Sequence, residues 1–275
     1  MLARALALWA SDPDLSATWQ EIQPDFARLR FSRGLRNGWE EARAEAAIWN
    51  AVHASKLLGS RVLASELRRQ LADLEGAPSA NKIAVAAWRM QSRIQGTLPP
   101  LNERRDLATT RHSTMPAPQL LSGLLLDWQA TWETPEVPPR QEAFSVALAL
   151  AEADAPAWLC SGLALAELWG AANPVLGWAF ARWILCARGV EPTGVWALPD
   201  LGDARGNQLS CGIVPEKTGP LGNADWAQAL AAYQSGTPEG VKTYLAWYLQ
   251  VLAAGVAEGE AISQSILAAI PRQDN

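Results

Sequence analysis

The sequence contains two histidines, His53 and His112, and either could act in acid–base or nucleophilic catalysis. His53 falls on a Trp-rich segment with helical spacing, where a histidine usually packs against its neighbours. His112 falls in a polar stretch and is predicted to be solvated. A Ser–His–Asp or Cys–His arrangement would need one of the two as its base. We therefore predict no catalytic residue.

The three cysteines, Cys160, Cys186 and Cys211, are odd in number and far apart. This spacing matches neither a disulfide framework nor a C-x-x-C site. A chain with two histidines also cannot supply a multi-histidine centre. We predict no metal site and a reducing, cytoplasmic location.

The glycines form no recognisable phosphate-binding motif. No G-x-G-x-x-G follows a strand-like segment, which argues against a dinucleotide site. Lys217-Thr218 resembles the end of a Walker A loop, but the residue before Lys217 is Glu216 rather than glycine. We predict no cofactor.

The overall composition excludes further classes of protein. Hydrophobic residues make up 49% of the 275 positions and charged residues only 19%, so the chain is not intrinsically disordered. The net charge is −5 and the basic residues are scattered, which argues against a nucleic-acid partner. The 14 tryptophans suit either a core or a protein interface, because indole combines a large apolar area with an N–H group.

Two apolar segments are candidates for targeting or membrane insertion. The segment 2–10 is short, contains Arg4 and lacks the features of a signal peptide. The segment 155–187 is interrupted by Glu167 and Arg182, so it has no clean run of about 20 apolar residues. We predict a pair of buried core helices there and no membrane span.

The periodic segments are helical almost throughout, which predicts an all-α fold. Short strands are considered only at 195–198 and 209–214, within a Gly- and Pro-rich loop. Asn37 is expected to cap the first helix, and the last helix is expected to break near 257–259. The expected helices are 38–56, 63–74, 84–95, 119–132, 141–153, 156–170, 174–188, 224–234 and 238–270.

The predicted domain organisation has three parts. Residues 1–96 form an N-terminal helical region, 97–116 a polar flexible loop, and 117–275 a helical core. The three parts are expected to make one continuous globular unit. Within it, 156–170 and 174–188 are expected to form a central antiparallel hairpin, because a helix that is apolar all round must be buried.

The segment APAWLCSGLALAELWGAANPVLGWAFARWILCARGVEP, residues 155–192, resembles the core of the Fic-fold (Fic/Doc) family, and in particular a divergent actinobacterial branch. The residues Gly170–Asn173 (GAAN) look like part of the family's loop motif H-P-F-x-x-G-N-G-R. Residues 40–69 and 233–270 are similar to its N-terminal and last helices. The resemblance covers about half of the chain and implies a Fic-like helical domain with an N-terminal extension.

The resemblance also implies which site residues have been lost. Active family members use the motif histidine as general base for transfer of AMP from ATP to a protein hydroxyl, and the segment that would carry it is missing here. The vestigial loop positions are Gly170, Asn173 and Pro174. Pro174 has no N–H to offer a phosphate, although Asn173 as N-cap and Pro174 at the first helical position make a good structural cap. Replacing Asn173 with Ala is therefore expected to cost about 0.5–2 kcal/mol of stability.

A regulatory segment of the family is degenerate as well. Many Fic proteins carry an S/T-x-x-x-E-G segment whose glutamate obstructs productive ATP binding. The matching positions here include Ser55, Leu58 and Gly59, with Leu58 in place of the glutamate. Loss of the base, the phosphate loop and this brake together is what the resemblance predicts for a pseudoenzyme.

The sequence therefore favours a non-catalytic Fic-like protein that acts through protein–protein contact, with an unknown partner or as a homo-oligomer. Three alternatives remain open. The chain could be an active AMP transferase, or an unrelated helical adaptor. It could also be an enzyme of different chemistry that uses Glu167, Asn173 and Arg182.

Overall fold

Ten α-helices and one 3₁₀ turn make up the regular structure of the described residues, and no strand occurs among them. The computed structural model describes residues 2–72, 82–96, 98, 101, 123, 141–171, 174–202 and 226–269. The all-α prediction is confirmed. The helices are α1 (Leu2–Ala10), α2 (Pro13–Arg30), α3 (Trp39–Lys56), α4 (Ala64–Ala72), α5 (Lys82–Gly96), α6 (Gln141–Glu152), α7 (Ala157–Ala171), α8 (Pro174–Ala187), α9 (Trp226–Gln234) and α10 (Pro238–Ala269).

The first two helices were not predicted, although the sequence carries a start signal for α2. Asp12 is its N-cap, and its Oδ1 accepts hydrogen bonds from the backbone N–H groups of Asp14 at 3.1 Å and Leu15 at 3.0 Å. Pro13 occupies the first helical position, where its missing N–H costs nothing. The segment Asp12-Pro13 thus separates α1 from α2.

The start of α3 differs from the prediction. Gly38 rather than Asn37 is the N-cap residue, and no side chain makes a capping hydrogen bond there.

Helices α7 and α8 form the predicted antiparallel hairpin. Arg188, after the end of α8, donates from Nη2 to the carbonyl of Ala155, just before α7, at 2.6 Å. At the opposite end Gly177 lies close to Leu165 and Trp169. Every residue of α8 except its last is buried, which confirms the expected pair of core helices. None of the described helices combines the length and the apolar character needed to cross a bilayer.

Helix α10 runs unbroken over 32 residues, so the predicted break near 257–259 is wrong. Two glycines at and before the expected break allow close packing against other segments. A Cβ at Gly255 would overlap the indole of Trp196, and one at Gly259 would lie 2.9 Å from the carbonyl oxygen of Val195. Glycine in a helix can mark a neighbour that approaches closely, as well as a helix end.

The segment 195–198 has no regular secondary structure, so the short strand considered there is absent. Its backbone bonds instead to helices on both sides. Asn50 of α3 donates to the carbonyl of Trp196 at 3.0 Å and accepts from the N–H of Leu198 at 3.0 Å. The N–H of Ala197 donates to the carbonyl of Gly255 in α10 at 3.3 Å. The second strand considered, 209–214, and the predicted helix 119–132 lie outside the described residues, apart from Gly123.

Tryptophans supply much of the core, in line with one of the two uses that their number suggested. One group is buried: Trp158, Trp169, Trp178, Trp183, Trp196 and Trp247. A second group is half-buried against the same core: Trp9, Trp19, Trp39, Trp49, Trp88 and Trp226. The core draws on α2, α3 and α5 as well as on α7, α8 and α10.

Candidate functional site

The positions that resemble a Fic loop lie where α7 meets α8. Gly170 belongs to the last turn of α7, which continues to Ala171. Pro174 is the first residue of α8 and is buried. Asn173 lies outside the described residues, so its predicted capping bond stays a prediction. The connection between the two helices is therefore no longer than residues 172–173.

Four tryptophans gather at this end of the hairpin, and we call them the indole cluster: Trp169, Trp178, Trp226 and Trp247. Trp169 stacks on Trp226 of α9, with ring centroids 5.0 Å apart and an interplanar angle of 22°. It also meets Trp178 of α8 at 6.0 Å and Trp247 of α10 at 6.5 Å, both edge-on. Side chains rather than open space thus fill the region where α7, α8, α9 and α10 meet.

The first turns of α8 carry no cation. Val175, Leu176 and Trp178 are apolar and buried, and Gly177 lies against Leu165 of α7. A helix N-terminus attracts phosphate through accessible N–H groups and its positive dipole end, usually with basic side chains nearby. Burial among apolar side chains, with proline at the first position, removes most of these features.

Arg182 is the first basic residue of α8, and its guanidinium bonds to residues outside the α7–α8 junction. Its Nη1 donates to Oε1 of Gln91 in α5 at 2.6 Å, and its Nη2 donates to the carbonyl of Gly194 at 2.6 Å. The side chain is among the largest that are fully buried. Arg182 therefore holds α5 and the segment after α8 in place.

Glu167 faces a different helix. Its Oε1 accepts a hydrogen bond from the Tyr233 hydroxyl of α9 at 2.6 Å. Burial and this carboxylate raise the pKa of Tyr233 above its usual range, so the tyrosine stays protonated and acts as the donor. Glu167 and Arg182 make no hydrogen bond or ion pair with each other. The structure thus does not join these two members of the suggested catalytic set.

A buried polar cluster that the sequence analysis missed surrounds Arg182. Oε2 of Glu191 accepts from the N–H of Gly194 at 2.9 Å, and its Oε1 accepts from the Thr193 hydroxyl. Arg43 of α3 donates from Nε to the carbonyl of Thr193 at 2.6 Å. The segment EPTG at 191–194 was the available signal, because Pro, Thr and Gly together indicate a turn that a preceding carboxylate can close.

Electrostatics support a structural role for this cluster. Burial raises the pKa of Glu191, while the Thr193 hydroxyl and Arg182 act in the opposite direction. Burial also lowers the pKa of Arg43 and raises that of the Cys186 thiol, which lies 3.7 Å from Glu191. The side chains of this polar cluster are buried and bonded to one another, so they are not arranged to reach a substrate.

The positions that resemble a degenerate inhibitory segment lie in the last turn of α3 and just after it. Gly59 has φ +84°, a left-handed conformation that glycine adopts readily. Its N–H donates to the carbonyl of Lys56 at 2.9 Å, and the N–H of Ser60 donates to the carbonyl of Ser55 at 3.2 Å. These two bonds make a Schellman cap. Leu58 is half-buried against the core, so here Ser55, Leu58 and Gly59 serve helix termination.

His53 is a packing residue, as predicted. Its ring lies 5.3 Å from that of Trp49, and its Nδ1 donates to the carbonyl of Leu198 at 2.5 Å. Because a carbonyl can only accept, Nδ1 carries the proton when the ring is neutral. Burial lowers the pKa of His53, although this bond and Asp200 oppose the effect. His112 lies outside the described residues.

An ion pair lies beside His53. Lys56 Nζ is 2.8 and 2.6 Å from the two carboxylate oxygens of Asp200, whose Oδ1 also accepts from the N–H of Gly202. Burial raises the pKa of Asp200, but these donors outweigh burial and the net shift is downward. The described residues contain no group of three His, Cys, Asp or Glu that could hold a metal ion.

Comparison of the chain with protein-family models, with curated proteins and with solved structures finds no match.

Proposed function

We propose that this chain is a Fic-like helical domain that has lost nucleotide transfer and acts by binding another protein. The observation that carries the proposal is the indole cluster at the junction of α7 and α8. Trp169, Trp178 and Trp247 are buried there, together with Pro174. In the Fic resemblance this junction is where a nucleotide phosphate would bind.

The chemistry of the neighbouring residues supports the absence of transfer. Glu167, the carboxylate nearest to the junction in sequence, is hydrogen-bonded to Tyr233, and Arg182 is bonded to Gln91 and Gly194. Transfer to a hydroxyl needs a base within hydrogen-bond reach of that hydroxyl and positive charge near the phosphates. Neither requirement is met by the described residues at this junction.

Exposed apolar side chains support the binding role. Phe31 is 75% exposed and Leu267 44% exposed. The segments that carry them are joined, because the hydroxyls of Ser32 and Ser263 are 2.5 Å apart. Exposed apolar side chains on adjoining segments are a feature that protein interaction sites use.

The experiment is an AMP-transfer assay with ATP labelled at the α-phosphate, Mg²⁺ or Mn²⁺, and candidate acceptor proteins. We expect no label on the chain or on any acceptor. The Glu167→Gln variant is the matched control, since it keeps the size of the side chain and removes its charge. Label that the parent transfers would overturn the proposal in favour of an active transferase, and loss of that label in the variant would place Glu167 in the transfer site.

A further inference from the structure

The end of α2 and the 3₁₀ turn after it concentrate positive charge in a chain whose net charge is −5. No acidic residue occurs between Asp25 and Glu40, a local exception to the scattered distribution of basic residues. Phe31 stands in the middle of this run and is 75% exposed. The arginines of the run are Arg28, Arg30, Arg33 and Arg36.

Two of these arginines are bonded within the chain and two are not. Arg28 pairs with Asp25 at 2.5 Å, and Arg30 donates to a backbone carbonyl just after α8 at 2.9 Å. Arg33 and Arg36 are exposed, and neither makes an ion pair or a side-chain hydrogen bond with the part of the chain that the structure describes. Their guanidinium groups can therefore accept an outside carboxylate, which arginine holds with two parallel N–H bonds.

The backbone places the two arginines next to Phe31. The N–H of Arg36 donates to the carbonyl of Arg33 at 3.2 Å, and side chains three residues apart in such a turn lie one above the other. Arg33 follows Phe31 by two residues, so their Cα atoms are at most about 7 Å apart, a distance that an arginine side chain can span. We call Phe31, Arg33 and Arg36 the Arg–Phe patch.

The segment that carries the Arg–Phe patch is fixed against α10. The hydroxyl of Ser32 lies 2.5 Å from that of Ser263, and Gly34 packs so closely that a Cβ there would overlap the carbonyl oxygen of Ser263. Leu267 follows Ser263 by one helical turn and adds a second exposed apolar side chain to this region. A backbone held in this way presents its side chains with a lower entropy cost on binding.

Carboxylates bound the Arg–Phe patch on two sides. Asp25 and Glu260 lie beside Arg28, and Glu40 and Glu41 lie in the first turn of α3. An anionic membrane or a nucleic-acid backbone would bring its repeated negative charges against these carboxylates as well. A short acidic segment that also carries an apolar side chain would meet only the unpaired arginines and the phenylalanine, so it fits the patch best.

We propose that the Arg–Phe patch binds a segment of a partner protein in which Asp or Glu residues lie beside an apolar side chain. The carboxylates of that segment bond to Arg33 and Arg36, and its apolar side chain packs on Phe31. The inference rests on the proposed protein-binding function and names the chemistry of the partner.

The test is selection of a random-peptide display library on the full chain, followed by measurement of dissociation constants for the selected peptides made synthetically. We expect the selected peptides to carry Asp or Glu beside an apolar residue, and higher salt to weaken their binding. Arg33→Glu combined with Arg36→Glu should raise the dissociation constant about tenfold or more, and so should Phe31→Ser. Arg33→Gln combined with Arg36→Gln is the milder second variant, with a smaller loss in the same direction.

The matched control is Arg61→Glu combined with Leu63→Ser, because these two residues present an exposed arginine and an exposed apolar side chain between α3 and α4. It should leave the dissociation constant unchanged, and melting curves check that every variant keeps the fold of the parent.

Two results would overturn the inference: selected peptides without acidic residues, or acidic peptides that bind the Arg33/Arg36 variants as tightly as the parent. The second result would leave the protein-binding function standing, since the peptide would then bind elsewhere, whereas AMP transfer by the parent would overturn that function itself. Binding of phosphatidylserine vesicles or single-stranded RNA that the same variants abolish, without binding of acidic peptides, would assign the patch to another class of partner and overturn the inference too.

Discussion

Trp169 at the end of α7 stacks on Trp226 of α9, with ring centroids 5.0 Å apart and a tilt of 22°. Aromatic pairs of this kind contribute about 0.5–1.5 kcal/mol beyond the burial of their area. The stack fixes α9 against the end of the hairpin, where the Fic resemblance places the catalytic loop. Under the proposed function, this aromatic packing occupies the place where the resemblance would put a phosphate.

Arg182 is predicted to be essential for stability. Replacing it with Met leaves Oε1 of Gln91 and the carbonyl of Gly194 without this donor, and leaves Glu191 without its cationic neighbour. Breaking a buried charged network in this way costs about 3–5 kcal/mol. Arg182→Lys should not restore the loss, because a single ammonium group lacks the planar fork that reaches both partners. Urea denaturation measures the free energy of unfolding of both variants.

Arg36→Met is the matched control for this loss, because Arg36 is exposed just after the 3₁₀ turn Arg33–Leu35. Its free energy of unfolding should stay within about 0.5 kcal/mol of the parent. Equal effects of the Arg36 and Arg182 substitutions would show that the buried cluster has no special role.

Gly255 is predicted to reject any side chain. In Gly255→Ala the new methyl group overlaps the indole of Trp196, which is held by a 3.0 Å bond from its Nε1 to the carbonyl of Leu252. Overpacking of this kind typically costs about 1–3 kcal/mol. Gly96→Ala is the control, because a Cβ there meets nothing within 4 Å and the residue ends a helix. Thermal and urea melts that show the same stability for both variants would contradict the packing account of α10.

The case of α10 shows what the sequence could and could not predict. Periodicity identified most of the helices and the buried hairpin, because the apolar pattern of a helix is local in sequence. The close packing at Gly255 and Gly259 depends on Trp196 and Val195, which are distant along the chain, so it could not be predicted, and the expectation of a break near 257–259 was wrong. The buried polar cluster around Arg182 was not predicted for the same reason, because Arg43 and Thr193 meet only in the folded chain.

The loop positions show a different limit. The resemblance of these positions to the Fic loop rests on the segment 155–192 alone. Their stacking partner Trp226 follows a Gly- and Pro-rich stretch whose conformation could not be predicted from the sequence. No pattern within α7 and α8 indicates that an indole from α9 lies against Trp169. The packing of Trp226 against Trp169 at this junction therefore depends on tertiary structure, which the local sequence does not reveal.

His53 gives a prediction for the dependence of stability on pH. Burial lowers its pKa in the folded state, so the folded chain binds the proton less readily than the unfolded chain. Its contribution to stability is complete above the unfolded pKa of about 6.5 and is lost as the pH falls towards the folded pKa. His53→Asn places an amide donor near the carbonyl of Leu198 and cannot titrate. The stability gap between parent and variant should therefore narrow or reverse on acidification.

Comparing the pH dependence of stability in the parent and in His53→Asn isolates the contribution of His53 from that of its titratable neighbours. Lys56 and Asp200 face the ring and remain in both proteins, as does Glu258, whose pKa is raised by burial and by Asp200. Protonation of Glu258 stabilises the folded state as the pH falls, which acts against the effect of His53. Urea melts at several pH values measure the difference, and a gap that stays constant over the whole range would refute the role given to His53.

The central claim is that the junction of α7 and α8 no longer accepts a nucleotide, and calorimetric titration of the full chain with ATP and Mg²⁺ tests it most directly. We expect no heat of binding, and a melting temperature that millimolar ATP leaves unchanged. A ligand present at 100 times its dissociation constant would stabilise the folded state by about 2.7 kcal/mol, so binding would be readily seen. A saturable heat with a matching rise in melting temperature would contradict the account.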